Sequence, residues 1–273
     1  MHEIACSTYA FIGLTLEEAL ARIRENGFEY AELVLHDSPE WGHLRPADIM
    51  LDPEGMAAVV KRAGESAGVR IIASTVSMSE NIPWKRGEFE AVSRFLRILR
   101  IHIATIPAGR GNERMEVFRL RDLRDVAARH GVMLAVEPQS MMNWGDSLFI
   151  LPYEAASFAQ GEPGHKLTLD TGHLIHAGTR QDDWTQAFKW MVHMHIRDAR
   201  PARGESQVPF GEGKLDLGAL VNALFSSGYT GAFTVEYLKG WTEGLDLDAE
   251  RESVRLRESL AGLVRDAIEK GEN

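Results

Sequence analysis

Residues 166–170 read Lys166-Leu-Thr-Leu-Asp170, a short apolar run that stops at a carboxylate. Such a run suits a buried strand whose last residue faces a site rather than the core. The pattern recurs on both sides. Val132-Met-Leu-Ala-Val-Glu137 and Ala232-Phe-Thr-Val-Glu236 also end on carboxylates, and Val192-His-Met-His195-Ile-Arg-Asp198 carries an imidazole. Glu137, Asp170, His195 and Glu236 together form a plausible ligand set for one divalent ion, because carboxylate oxygen with imidazole nitrogen suits Mn, Mg, Co or Zn.

Working outward, apolar β-rich runs alternate with amphipathic stretches. Strands are expected at 3–7, 30–35, 69–75, 100–106, 131–137, 166–170, 192–197 and 232–237, with helices at 15–26, 54–67, 87–99, 114–130, 152–160, 181–190, 216–227 and 248–270. Thr15 is a candidate N-cap, Glu17 and Glu18 occupy the first turn, Leu16, Ala19, Leu20 and Ile23 make one stripe, and Gly27 stops that helix. Eight β units, each followed by a helix, match a (β/α)8 TIM barrel spanning residues 1–273 as one domain with a C-terminal helix at 248–270. A doubly wound sheet is the weaker alternative, since no Gly-rich dinucleotide fingerprint follows the first strand. In a barrel, chemistry sits at the C-terminal strand ends, so strands five to eight would place the four candidate ligands side by side on the rim.

Composition bounds the rest. The 273 residues are 44% hydrophobic and 26% charged, as in a soluble globular protein. A net charge of −10 argues against partners such as nucleic acid or an anionic membrane. No secretory signal or bilayer-length apolar run is visible, and the single cysteine, Cys6, fits a reducing cytoplasm. Cys6 reads as a small buried apolar group.

The motifs carry a resemblance. Val136-Glu137-Pro138, Leu169-Asp170-Thr-Gly-His173, His193-Met-His195-Ile-Arg-Asp198, Pro209-Phe-Gly-Glu-Gly213, Gly228-Tyr-Thr-Gly231 and Phe233-Thr-Val-Glu236-Tyr237 resemble the sugar isomerase/epimerase family of xylose-isomerase-like barrels. The resemblance is clear over roughly 130–240 and specific for fold and metal site rather than substrate. It implies metal ligands Glu137, Asp170, His195 and Glu236. It also implies Glu137 and Glu236 as the catalytic acid/base pair, with His173 hydrogen-bonded to substrate oxygens. Chemistry supports this, since proton transfer beside a carbonyl needs an electrophile on the oxygen, and two carboxylates can then invert a centre through an enediolate. The chain departs from better-characterised epimerases at Ile106-Pro-Ala-Gly109-Arg110-Gly111 and at Pro138-Gln139-Ser140. Where ketose epimerases carry an arginine after the metal histidine, Arg200 and Arg203 both fall nearby.

The expected activity is a metal-dependent isomerase or epimerase of a ketose or related keto-polyol, with a small carbohydrate as partner. The alternative is a dehydratase or lyase on the same scaffold. Hydrolysis of abasic DNA is disfavoured by net charge and by the lack of histidines at the ends of strands three and four. A non-catalytic sugar-binding role is the remaining class. His36 and Trp41, in the loop after strand two, are candidates to close over a sugar; Trp84, Trp144 and Trp241 are weaker ones. His193 and His102 read as inner barrel-layer residues, and Asp198 as a loop cap or a support for the site. Barrels of this kind often associate through outer helices, which leaves a homo-oligomer open.

Overall fold

Alternation along each strand sets the architecture. In the computed structural model, which describes residues 2–78, 85–141, 145–240 and 247–271, eight parallel strands close a barrel. They are β1 (Ile4–Ser7), β2 (Tyr30–His36), β3 (Arg70–Ser77), β4 (Ile103–Pro107), β5 (Met133–Glu137), β6 (Lys166–Asp170), β7 (Met191–Ile196) and β8 (Ala232–Val235). The closing pair is β1 with β8, in register Ile4 with Phe233 to Cys6 with Val235. Successive strand residues point to opposite faces. Leu33 and Leu35 of β2, Leu134 and Val136 of β5, Leu167 and Leu169 of β6, Met194 and Ile196 of β7, and Phe233 and Val235 of β8 join one apolar core. That core lies between the strands and the helices. The alternate residues, including Glu32, Thr75, Thr105, Glu137, Thr168, Asp170, His193, His195, Thr234 and Glu236, are buried polar groups and face inward.

The helices are α1 (Leu16–Glu25), α2 (Pro46–Leu51), α3 (Pro53–Ala67), α4 (Arg86–Ile98), α5 (Glu113–Arg129), α6 (Pro152–Gly161), α7 (Thr171–His176), α8 (Leu217–Ser226) and α9 (Ala249–Gly271). Helix α1 starts as its sequence dictates. Thr15 Oγ1 accepts from Glu18 N–H while the Glu18 carboxylate accepts from Thr15 N–H, and Leu16, Ala19, Leu20 and Ile23 are buried. Asp52, Asn112 and Asp216 likewise cap α3, α5 and α8.

Three differences separate the fold from the sequence expectations, and the first two have local causes. Strand β4 begins at Ile103, because Arg100 N–H and Ile101 N–H bond back to Arg97 and Leu96 carbonyls and Arg100 takes a φ of 60°, so these residues finish α4. His102 is therefore exposed below the barrel, not an inner-layer residue. Residues 181–190 form two 3-10 helices, Gln181–Gln186 and Phe188–Trp190, rather than one α-helix; the Thr185 hydroxyl bonds the Asp182 carbonyl, an i−3 contact that competes with the α-helical ladder. Short α2 and α7 stand in segments read as loop. No helix of the described residues is long and apolar enough to cross a membrane. Trp84, Trp144 and Trp241 lie outside the described residues.

Candidate metal centre

The exits of β5, β6, β7 and β8 are neighbours in the barrel, and pairing puts Asp170 opposite His195. Glu137, Asp170, His195 and Glu236 each offer a ligand atom, all within 4.8 Å of one another, and all four are buried. His195 Nδ1 stands 2.6 Å from Glu137 Oε1 and 3.3 Å from Glu236 Oε2. Glu137 Oε2 accepts from Gln139 Nε2 at 2.7 Å. Asp170 divides its oxygens: Oδ1 caps α7 by accepting His173 N–H at 2.9 Å, whereas Oδ2 is buried without a hydrogen bond. A buried carboxylate oxygen lacking a donor is costly unless a cation meets it. Three convergent carboxylates and an imidazole nitrogen fit one hard or borderline divalent ion.

An unexpected cation sits beside these four candidate ligands. Arg197 is 1% exposed, with Nη1 3.3 Å from Glu236 Oε2 and Nη2 3.2 Å from Asp170 Oδ2, too poorly aligned for a hydrogen bond to the latter. It lies two residues after His195 and so shares its inward face. The arginine beside the cluster is therefore Arg197 and not Arg200, whose Nε donates to the Glu212 carbonyl and whose Nη1 lies near Glu205 in the loop after β7.

These neighbours divide the protons unequally. Burial opposes charge on Asp170, yet Arg197 and then His173 outweigh it and hold the carboxyl at about 2. Burial lifts Glu236 to about 8, with Glu137 and Asp170 adding to the lift and His195 opposing it. Burial also opposes charge on His195, but Glu236, Glu32 and Glu137 raise it well above the usual histidine range. Three carboxylates crowd one small volume, and a proton stays where a divalent cation would otherwise sit. Burial lowers His173, whose Nδ1 lies 3.0 Å from the Ser140 carbonyl. A carbonyl only accepts, so Nδ1 carries the hydrogen and Nε2 of the neutral ring is an acceptor.

The structure thus gathers Glu137, Asp170, His195, Glu236 and His173. His36 is half-buried and accepts Ser38 N–H with Nδ1, and Trp41 is half-buried in the same loop. Asp198 caps a loop: its carboxylate accepts four backbone N–H groups. Burial pushes the Cys6 thiol up to about 12, which suits an apolar filler and not a nucleophile. Glu32 was not read from the sequence. It reaches across the barrel interior to both His193 and His195. Tyr9, after β1, was also missed. Burial raises its phenol first, and Glu236 and Glu137 add to that.

A family model described as xylose isomerase-like TIM barrel matches residues 20–260. No curated protein matches the chain. Among solved structures, an L-ribulose 3-epimerase is 18% identical with a TM-score of 0.72, over 100% of this chain and 97% of that one. A 3-keto-D-glucoside 4-epimerase from E. coli is 19% identical with a TM-score of 0.69, over 96% and 99% of the two chains. A xylose isomerase-like protein from Mycobacterium smegmatis, solved in complex with magnesium, is 16% identical with a TM-score of 0.75, over 98% of each. At such identities the likeness is one of fold.

Proposed function

The chain belongs to the xylose isomerase-like TIM barrel family, and on that footing we propose that it is a divalent-metal-dependent isomerase or epimerase of a ketose or related keto-polyol. The observation that carries this reading is the arc of Glu137, Asp170, His195 and Glu236, whose ligand atoms all lie within 4.8 Å of one another. Two proteins of similar fold are sugar epimerases and a third was solved in complex with magnesium, which supports it. Those four residues would hold the ion, which when bound supplies a Lewis acid for a substrate carbonyl and a template that orients it.

The chain's own groups do the proton work. Glu137 and Glu236 close the two ends of the four-strand arc, with Asp170 and His195 between them. A substrate carbon held between the two carboxyls can lose a proton to one and regain a proton from the other on the opposite face, which inverts its configuration. If one carboxyl carries the proton to the adjacent carbon, aldose–ketose isomerisation results. Gln139 fixes the Glu137 carboxylate through Oε2, and neutral His173 offers Nε2 to a substrate hydroxyl. Positioning of this kind converts a bimolecular proton transfer into a local one.

The test is solvent exchange. Protein loaded with Mn or Mg is mixed in D2O with ketoses, ketose phosphates and keto-acids, and carbon-bound deuterium is read by mass spectrometry. Deuterium incorporated without loss of water is the expected result, and Glu236→Gln should lower it by about 10²–10⁴-fold while keeping the fold. Full exchange in that variant would refute the mechanism, and expulsion of a leaving group would make the enzyme a lyase.

A further inference from the structure

Glu32 sits mid-strand in Tyr30-Ala-Glu32-Leu-Val-Leu-His36, fully buried in the barrel interior. Strand β2 contributes nothing to the four-residue metal cluster, yet this side chain crosses the interior to β7. His195 Nε2 lies 3.0 Å from Glu32 Oε2 and 3.2 Å from Oε1, and His193 Nε2 lies 2.9 Å from Oε2. The Thr75 hydroxyl donates to Oε1 at 2.7 Å. A carboxylate accepts only, so both rings present N–H to it through Nε2. The other nitrogen of His195, Nδ1, faces the Glu137 and Glu236 carboxylates at 2.6 and 3.3 Å, so with Nε2–H held by Glu32 it is Nδ1 that is turned toward the candidate ion site.

The trio Glu32, His193 and His195 also has spacing suited to an ion. Its separations of 2.9–3.2 Å are those of filled hydrogen bonds, and His193 Nε2 has a second partner in Thr234 Oγ1 at 2.9 Å. An ion there would take the Nε2 that His195 uses to hold its orientation. The geometry favours a hydrogen-bonded support.

We propose that Glu32 is a positioning residue for the metal centre: it fixes the tautomer and ring orientation of His195 so that Nδ1, and not Nε2, faces the ion. This rests on the metal reading above. A carboxylate behind a ligating histidine sets which nitrogen is metallated, and its loss typically weakens metal binding by about 10–100-fold. Glu32→Gln sharpens the point. An amide has one accepting oxygen where the carboxylate has two, and its NH2 faces donors. One of the two imidazoles must then turn or move its hydrogen to Nδ1.

The experiment titrates full-length wild type, Glu32→Gln and Thr105→Val with Zn by calorimetry and reads the histidine nitrogens of the Zn-loaded proteins by 15N NMR. Thr105 is equally buried in the interior, but it pairs with Thr168 and so controls for general damage. The expected result is Zn affinity down about 10–100-fold in Glu32→Gln and within about threefold of wild type in Thr105→Val. In Zn-loaded wild type, His195 should show a protonated Nε2 and a metallated Nδ1. Unchanged affinity in Glu32→Gln, equal losses in both variants, or a metallated Nε2 in wild type would each overturn the inference. If Glu32→Gln fails to fold, the wild-type spectrum alone decides. A wild type that binds neither Zn nor Mn would instead sink the metal reading itself, a separate outcome.

Discussion

Asp198→Asn isolates a group that holds a loop in place from the four proposed to hold the ion. Asp198 is 1% exposed and follows β7 directly. Its Oδ1 accepts Ala199 N–H at 2.9 Å and Leu215 N–H at 3.0 Å, and its Oδ2 accepts Gly211 and Gly213 N–H at 2.9 Å each. The residue's own N–H donates to the Tyr237 hydroxyl at 3.2 Å. One carboxylate thus pins both ends of the loop between β7 and α8. In the asparagine variant one oxygen survives, while the NH2 confronts two N–H donors whichever way the amide turns. Two hydrogen bonds to a charged acceptor are lost, each worth about 1.5–3 kcal/mol, so the cost is about 3–6 kcal/mol. For a chain of this size each kcal/mol moves Tm by about 2 °C, giving a fall of about 6–12 °C by calorimetry. Asp198 is not one of the clustered ligands, so Zn affinity measured below the transition should stay within about threefold of wild type. A Tm change under about 2 °C, or loss of Zn binding without loss of Tm, would refute the loop-pinning account.

Two further predictions follow from the site itself. Metal binding should release protons: at pH 7 the metal-free site holds one on Glu236, whose carboxyl burial lifts to about 8, and keeps His195 charged. Both groups must lose a proton for the ion to be held, so affinity should rise with pH through and beyond about 8, and titrations in buffers of different ionisation enthalpy should show up to two protons released; none released would contradict this charge arrangement. Gly172→Ala should destabilise the fold by about 1–3 kcal/mol in chemical denaturation, because the new Cβ would stand 2.7 Å from Arg197 Cγ in a fully packed site. Helix propensity alone would make the same change stabilising by about 1 kcal/mol, so the sign of the shift decides.

What was legible in the sequence was what a strand reports about itself. Runs ending in Glu137, Asp170 and Glu236 marked strand ends, and their order in a barrel implied convergence; the structure gathers them with His195. Thr15, Asp216 and Gly27 marked helix ends because capping is local chemistry. Arg197 carried a readable signal that was passed over. His193, His195 and Arg197 are spaced by two, so they face the same way, whereas Arg200 and Arg203 lie beyond the strand in the following loop. Glu32 also left a trace, a single carboxylate inside an apolar strand, which is costly to bury unless paired. Its partners could not be read, because they lie 161 and 163 residues away across the barrel. His102 was misplaced for the converse reason: alternation with Ile101 and Ile103 looked like strand, but Ile101 closes the end of α4.

The barrel interior explains why so much of the site is supported from below. Inner layers of such barrels are commonly filled by Val, Ile and Leu. Here the buried inward positions include Glu32, Thr75, Thr105, Thr168, His193 and Thr234. They pair among themselves: Thr105 with Thr168 at 2.8 Å, His193 with Thr234 at 2.9 Å, and Thr75 with Glu32 at 2.7 Å. A satisfied polar pair contributes only about 0.5–1.5 kcal/mol net, less than a fully buried Leu or Phe. The apolar stabilisation comes from the other face of the same strands, where Leu33, Leu35, Leu134, Val136, Leu167, Leu169, Phe233 and Val235 meet the helices. The two faces therefore divide the work, the outer one holding the barrel closed and the inner one carrying polar pairs, of which, among the described residues, only the Glu32 carboxylate reaches His195 at the rim. An isosteric Thr105→Val change leaves the shape intact but strands Thr168, so its cost is one inner-layer pair, away from Glu32 and away from the outer core.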